Sequence, residues 1–271
     1  MQGRLSKSLT GKIQEFPAKT WRQEFALARS IGIKAIEWTV DFEGFRVNPL
    51  FTLQNEIASL QSSFEISIPS VTLDCFVEAP IHKRNETSGL ASSATDLVWV
   101  AEMLQNTGVD VLVLPIVAEA GNFTSEDFDN LIHVLKEIET DLKSLNKRVA
   151  IECEFDLDSI SRLLSELNGQ TFGVNFDMGN SASLGHNPSH ELNICKGRIF
   201  NIHIKDRILN GPTVPLGSGT VQFDEIAATL LLHNYSGNMI LQAARIFDQD
   251  EVEQVSAYIN FCRGLGWADD N

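Results

Sequence analysis

Helical and strand-like patterns alternate along the whole chain, and this alternation constrains the fold more than any other feature of the sequence. Helices are predicted where apolar residues recur every three or four positions, and strands where short apolar runs alternate with polar residues. Strands joined by helices form a parallel sheet through right-handed crossovers. The predicted helices cover 20–31, 51–60, 92–104, 128–145, 160–167, 191–195, 223–232 and 252–262, and the predicted strands cover 1–5, 34–40, 66–73, 109–117, 148–155, 173–177, 199–207 and 238–244.

The number of strand–helix units predicts a closed barrel. Eight units in about 250 residues are typical of a (β/α)8 TIM barrel with an eight-stranded parallel sheet. An open doubly wound sheet is the alternative, but it would carry a glycine-rich fingerprint after the first strand, and none is present. No Pro/Gly/Ser-rich linker divides the chain, so we predict one domain over residues 1–271.

Composition and charge restrict the partners. The chain of 271 residues is 43% hydrophobic, which suffices for a large core. Its net charge is −15, so it repels a phosphate backbone and we expect no nucleic-acid partner. No apolar run is typical of a signal peptide or a membrane span, so we expect no membrane partner. The cysteines form no CxxC pair, so we expect reduced thiols and a cytoplasmic location.

Polar side chains of one parity lie at the ends of the predicted barrel strands. Asp177 ends one strand and His203 lies near the end of the next, and strand alternation points both toward the same side. The active site of such a barrel lies at these carboxyl ends. The residues that share this placement are Glu37, Glu152, Glu154, Asp177, His203, Lys205, Gln242 and, just beyond the last strand, Arg245.

Four of these residues have the chemistry of a metal site. Glu152 and Asp177 offer carboxylates, His203 an imidazole and Gln242 a neutral amide oxygen. This donor set suits one divalent cation such as Mn²⁺, Mg²⁺, Co²⁺ or Zn²⁺. The sequence therefore predicts a metal site formed by Glu152, Asp177, His203 and Gln242.

The ordered motifs resemble those of the sugar-phosphate isomerase/epimerase family, the xylose-isomerase-like TIM barrels. Members similar to this chain hold one metal with Glu, Asp, His and Glu, which corresponds here to Glu152, Asp177, His203 and position 242. In the ketose 3-epimerases of the family, the two glutamates move a proton between opposite faces of the substrate through a metal-bound enediolate. The matching segments are 1–5, 36–38, 151–152, 177–180, 202–207 and 214–219.

The chain departs from that family pattern at two positions. Gln242 replaces a glutamate, and an amide cannot accept a proton, which puts a symmetric two-glutamate mechanism in doubt. Asn180 replaces the histidine of the ketose 3-epimerases and resembles some sugar-phosphate members. His186 is a candidate to compensate, although a histidine in a loop before Asn-Pro is also typical of a turn.

Basic residues near the strand ends are candidates for binding the substrate. Lys205 and Arg207 carry positive charge beside the predicted site, and Arg4 is a further candidate. Barrel phosphate sites commonly follow strands seven and eight, so we expect the backbone N–H groups of Gly217 and Gly219 to be accessible to an anion. Together with Asn180 and His186, these residues predict a sugar or sugar-phosphate substrate.

We therefore expect a metal-dependent isomerase or epimerase of a small keto-sugar or sugar phosphate. Glu152 would be the general base, and Glu37 a second acid or a hydrogen-bond partner of the substrate. A polyol or keto-acid dehydratase and a degenerate, non-catalytic sugar-binding barrel are the alternatives. The DNA-repair endonucleases of this barrel class need a histidine-rich metal cluster, which six scattered histidines do not supply. The sequence leaves the oligomeric state open, and a homo-oligomer is one of the alternatives.

Overall fold

The computed structural model describes residues 5–7, 14–83, 94–116, 123–246 and 249–267. Seven strands form one parallel sheet in the order β1-β2-β3-β4-β5-β6-β9, and β7 and β8 form an antiparallel pair. The strands are β1 (Trp38–Thr39), β2 (Ser70–Thr72), β3 (Val111–Ile116), β4 (Arg148–Cys153), β5 (Phe172–Asp177), β6 (Ile199–Ile204), β7 (Asp206–Arg207), β8 (Thr213–Val214) and β9 (Met239–Leu241).

Helices connect successive strands of the parallel sheet, as the sequence pattern predicts. Local chemistry defines several helix ends: α6 begins with a capping box in which Thr124 and Asp127 bind each other's backbone N–H groups. The helices are α1 (Trp21–Ser30), α2 (Pro49–Thr52), α3 (Gln54–Phe64), α4 (Cys75–Glu78), α5 (Ala94–Met103), α6 (Ser125–Ser144), α7 (Leu157–Glu166), α8 (Met178–Ser183), α9 (Pro188–Ile194), α10 (Phe223–Leu232) and α11 (Glu251–Gly264).

The parallel sheet curls so that distant strands meet in its interior. Glu37, directly before β1, contacts Asn201 and His203 of β6, although four strands separate β1 from β6 in the sheet order. Seven parallel strands are described, where eight were predicted. Residues 1–4 of the predicted first strand lie outside the described residues, and the remaining one, Leu5, is buried.

An irregularity between β5 and β6 sets the register of the polar residues. Val174 pairs with Ile199, but the next residue, Asn175, pairs with Asn201, so that one residue of β6 is skipped. The skipped residue, Phe200, packs with Val111, Val113 and Ala150 of β3 and β4. Ile202 and Ile204 instead pack against α10 and α11. Phe200 therefore does not share a face with Ile202 and Ile204, as regular strand alternation would place it, because a bulge interrupts the alternation.

The core lies mainly between the sheet and the surrounding helices. Every residue of β3 is buried, as expected for a strand that is covered on both faces. The four cysteines form no disulfide, and burial raises the pKa of Cys195 to about 12, which keeps its thiol protonated. Within the described ranges, no helix is both long and apolar enough to span a membrane.

Candidate active site

Three potential metal ligands converge at the carboxyl ends of three neighbouring strands. Glu152 lies on β4, Asp177 ends β5, and His203 lies on β6, directly opposite Asp177 in the register. One ligand atom from each residue lies within 4.8 Å of the others. The strand ends thus bring together two carboxylates and an imidazole, as the sequence predicts.

Glu37 fixes the orientation of the His203 ring. His203 Nε2 lies 2.7 Å from Glu37 Oε1. The other ring nitrogen, Nδ1, lies 3.1 Å from Glu152 Oε2 and 3.9 Å from Asp177 Oδ2. Within the described part of the chain, this buried Nδ1 has no hydrogen-bond partner of acceptable geometry. A carboxylate that holds one ring nitrogen while the other faces two acidic oxygens is the arrangement found around metal-ligating histidines.

Burial and neighbouring charges shift the pKa of His203 in opposite directions. Burial lowers the pKa of His203, but the negative charges of Glu37 and Glu152 outweigh it and raise this pKa to about 10. The metal-free imidazole is therefore charged at neutral pH. A bound cation would take the place of the Nδ1 proton, because histidine binds metals in its neutral form.

Glu37 itself lies in a closed polar pocket. Its side chain is fully buried, and its carboxylate accepts hydrogen bonds from Ser70 Oγ at 2.6 Å, Thr72 Oγ1 at 2.7 Å and Asn201 Nδ2 at 2.8 Å. Burial raises the pKa of Glu37, but the charge of His203 and these hydrogen bonds lower it to about 2. Glu37 is therefore a permanent anion that faces His203 and the neighbouring strands.

Among Glu37, Glu152 and Asp177, Glu152 has the most accessible side chain, which is 12% exposed. Asn175 Nδ2 donates to its Oε2 at 2.8 Å, and Asn180 Nδ2 lies 3.4 Å from its Oε1. Burial raises the pKa of Glu152, but the charge of His203, the hydrogen bond to it and the charge of Lys205 together lower this pKa. Glu152 is therefore ionised at neutral pH and oriented by two amides.

The ammonium group of Lys205 lies between Asp177 and Gln242. Its Nζ is 3.2 Å from Asp177 Oδ2 and 3.1 Å from Gln242 Oε1. Burial raises the pKa of Asp177, and the negative charge of Glu152 adds to this, although the charge of Lys205 opposes it. The amide nitrogen of Gln242 donates to Gln14 Oε1 at 2.6 Å. The structure thus places Gln242 next to the cluster, with its oxygen on Lys205.

Arg207 lies at the mouth of the site and touches it through Asn180. Arg207 Nη1 donates to Asn180 Oδ1 at 2.8 Å and to Glu154 Oε1 at 2.6 Å, and its Nε donates to Gly211 O at 3.1 Å. Among the described residues, its Nη2 has no hydrogen-bond partner. The Arg207 side chain is 20% exposed, and its guanidinium retains one donor group for a ligand.

The predicted anion site at Gly217 and Gly219 is wrong. Their backbone N–H groups donate to Asp206 Oδ2 at 2.9 and 2.8 Å, and Val221 N donates to Oδ1 of the same carboxylate. The buried carboxylate of Asp206 thus occupies the position that an external anion would need. A Cβ at Gly219 would collide with Asp206, which explains why glycine stands there.

Comparison with known proteins identifies the family. The sequence model described as xylose isomerase-like TIM barrel matches residues 25–261. The chain belongs to the xylose isomerase-like TIM barrel family. The resemblance inferred from the ordered motifs is confirmed.

Sugar epimerases are among the relatives of this family member. L-ribulose-5-phosphate 3-epimerase UlaE of Escherichia coli O157:H7 is 25% identical over 269 residues, which cover 93% of each chain. D-psicose 3-epimerase from Clostridium cellulolyticum H10, solved with D-tagatose, has a TM-score of 0.73 at 10% identity and covers 90% of this chain and 93% of its own. The IOLI protein, solved with a zinc atom, has a TM-score of 0.73 at 16% identity, with coverages of 92% and 94%.

His186, a predicted substrate-binding residue, does not contact the cluster in the structure. His186 Nδ1 lies 3.0 Å from Glu191 Oε2, beside a cavity of about 190 Å³ next to α8. Ser181 Oγ also donates to that glutamate. Arg4 lies outside the described residues.

Sequence reasoning missed Asp74 and Gln14. Asp74 lies two residues beyond β2 and directly follows the predicted strand 66–73, so the rule that selected the other strand-end residues could have found it. Gln14 belongs to a loop before α1 and has no sequence signal of its own. Gln14 Nε2 donates to Asp74 Oδ2 at 2.7 Å, which connects both residues to Gln242.

Proposed function

We propose that this chain is a divalent-metal-dependent epimerase or isomerase of a small keto-sugar or its phosphate. The observation that supports this best is the ionised Glu152 beside the convergent Asp177 and His203, at the strand ends of a fold shared with sugar epimerases. The curated relatives named L-ribulose-5-phosphate 3-epimerase favour a ketopentose phosphate as substrate.

The residues fit one divalent cation. Glu152, Asp177 and His203 would hold it, because they offer two anionic oxygens and a buried ring nitrogen without a partner. Gln242 would join as a fourth, neutral ligand if its oxygen left Lys205. A bound cation polarises a substrate carbonyl and so acidifies the neighbouring C–H bond.

The side chains divide the remaining chemistry. Glu152 acts as the general base that removes the proton next to the carbonyl, since its carboxylate is ionised and partly exposed. Asn175 and Asn180 hold that carboxylate in place. Lys205 and Arg207 bind substrate oxygens. We assign Glu37 to positioning His203, because its closed pocket leaves it no access to a substrate.

Deuterium exchange tests the function directly. The Mn²⁺-loaded protein is incubated in D₂O with L-ribulose 5-phosphate and a panel of other keto-sugars and their phosphates, and NMR follows deuterium incorporation next to the carbonyl. We expect incorporation and a new epimer or isomer with at least one substrate. Bound metal without any exchange would favour the alternative of a sugar-binding barrel.

Removing the side chain of Arg207 is expected to weaken binding of a phosphorylated ketose. In Arg207→Ala, KM for L-ribulose 5-phosphate should rise about 10–100-fold, because a charge-assisted hydrogen bond contributes about 1.5–3 kcal/mol. KM for unphosphorylated L-ribulose should change much less. Steady-state kinetics on both sugars measures the difference, and Glu154→Gln, which removes the partner of Arg207, is the control. Equal effects on both sugars would show that Arg207 does not bind the phosphate.

Neutralising Glu37 is expected to weaken metal binding. In Glu37→Gln, affinity for Mn²⁺ should fall about 10–100-fold, because the carboxylate that orients a ligating histidine is lost. Isothermal titration measures the affinity, and circular dichroism monitors the fold. The matched control is Glu24→Gln, another buried glutamate, which accepts hydrogen bonds from Leu5 and Ser6 instead. Unchanged affinity in a folded Glu37→Gln protein would contradict this role.

A further inference from the structure

Asp74 lies at the same end of the sheet as the candidate ligands and has no part in the proposed metal binding or proton abstraction. It lies two residues beyond the end of β2 and directly precedes α4, but its side chain does not cap that helix. Oδ2 accepts the hydrogen bond from Gln14, whereas Oδ1 accepts none within the described part of the chain. One carboxyl oxygen is therefore held in position while the other is available to a ligand.

A continuous series of hydrogen bonds ties Asp74 to the cluster. Gln14 Nε2 donates to Asp74 Oδ2 at 2.7 Å, and Gln14 Oε1 accepts from Gln242 Nε2 at 2.6 Å. Gln242 Oε1 then accepts from Lys205, which also contacts Asp177. The position of the Asp74 carboxyl is thus determined by the side chains that line the site.

Inverting a stereocentre requires proton transfer on both faces of one carbon. Glu152 can remove a proton from one face, but a second acidic group must deliver a proton to the other. Gln242, at the end of β9, is an amide and carries no transferable proton. Of the acidic residues brought together here, Glu37 is enclosed and Asp177 is bound by Lys205 and Asn180.

We propose that Asp74 is the second proton-transfer residue of the site; this assignment rests on the proposed epimerase function. Glu152 takes the proton from the carbon next to the carbonyl, and the electron pair of the broken C–H bond moves toward the carbonyl oxygen. Asp74, as a carboxylic acid, gives its proton to the opposite face of that carbon as the electron pair returns. Glu152 is then protonated and Asp74 ionised, and proton exchange with water restores both residues.

The surroundings of Asp74 raise its pKa to near neutrality, so that a substantial fraction of the protein carries the proton that this role requires. Burial raises the pKa of Asp74, and the charges of Glu152 and Asp41 raise it further, to about 7. The hydrogen bond from Gln14 and the charge of His203 act in the opposite direction but are weaker. Glu152, with its lowered pKa, and Asp74, with its raised one, form the pair of dissimilar carboxyl groups that acid–base chemistry uses.

The test separates proton exchange from inversion. The Mn²⁺-loaded Asp74→Asn protein is incubated in D₂O with the ketose that shows the fastest deuterium incorporation with the wild type. We expect the rate of inversion to fall by about 10²–10⁴-fold, the contribution typical of a general acid. Deuterium incorporation without inversion should persist within a factor of about three, because Glu152 still removes and returns a proton on its own face.

One control variant and three contradicting outcomes complete the test of Asp74. Asp110→Asn, an exposed aspartate before the start of β3, should leave both rates unchanged. Wild-type inversion rates in a folded Asp74→Asn protein would overturn the role of Asp74 alone. Loss of both exchange and inversion, with Mn²⁺ affinity intact, would also overturn it. Absence of exchange in the wild type with every ketose would overturn the proposed function, and this assignment with it.

If the Asp74→Asn protein fails to fold, a pH profile of the wild type still tests the role of Asp74. Because Asp74 must be protonated to donate, the ratio of inversion to exchange should fall as pH rises above about 7. A ratio that is constant between pH 6 and pH 9 would contradict the assignment.

Discussion

Replacing Glu152 with glutamine is expected to lower turnover of the ketose substrate by about 10²–10⁴-fold, the range typical of a lost general base. The amide has nearly the shape of the carboxylate but cannot accept a proton. Deuterium incorporation next to the carbonyl should fall in parallel, because it reports the same proton transfer. Deuterium exchange followed by NMR, with circular dichroism as a check on the fold, measures both consequences.

Glu154→Gln is the matched control for this substitution. Glu154 lies two residues further along the chain and binds Arg207 instead of the cluster. Its amide should leave exchange within a few-fold of the wild type. If exchange survives in Glu152→Gln, another residue removes the proton, and Asp74 becomes the next residue to replace.

Replacing Asp177 with asparagine is expected to reduce Mn²⁺ affinity by more than about 100-fold. Loss of a residue that merely supports a ligand costs about 10–100-fold, and a direct anionic ligand contributes more. The substitution removes one of the two carboxylates of the cluster and leaves the ammonium of Lys205, 3.2 Å from Asp177 Oδ2, without its anionic partner. Isothermal titration with Mn²⁺ measures the change.

Thermal melting provides a second measurement of the same loss. A ligand that binds only the folded state raises the Tm, so Mn²⁺ should stabilise the wild type and not Asp177→Asn. Asp156→Asn removes an aspartate that caps α7 on the surface, and it should keep the Mn²⁺-dependent shift. An unchanged shift in Asp177→Asn would show that the cation binds elsewhere.

Most of the architecture could be predicted because local periodicity determines it. The apolar run of β3 and the helical spacing of α1 are visible in the sequence, and their alternation leads to a parallel sheet. The convergence of Glu152, Asp177 and His203 was also predictable, since residues at the carboxyl ends of parallel strands share one edge. The roles of the individual residues within the site stay predictions.

Predictions failed where the backbone departs from regular strand alternation. They also failed where a polar group is already hydrogen-bonded to a side chain elsewhere in the fold. The bulge at Phe200 cannot be read from strand periodicity, yet without it Asp177 would not lie opposite His203. The N–H groups of Gly217 and Gly219 looked open to an anion, but the carboxylate of Asp206 binds them. Whether a polar group is already satisfied depends on contacts between distant residues.

The sequence by itself determined the alternating elements, the family and the positions of the three candidate metal ligands, because each depends on residue types at short or regular spacings. Only the tertiary structure decided the environments of the acidic groups. Glu37 became an enclosed anion held by His203, and Asp74 became a carboxyl with a pKa near 7. Their surroundings come from strands and loops far apart in the chain, such as Asn201 for Glu37 and Gln14 for Asp74. Burial and charge act through space, so these properties appear only when the sheet has curled and its strand ends have met.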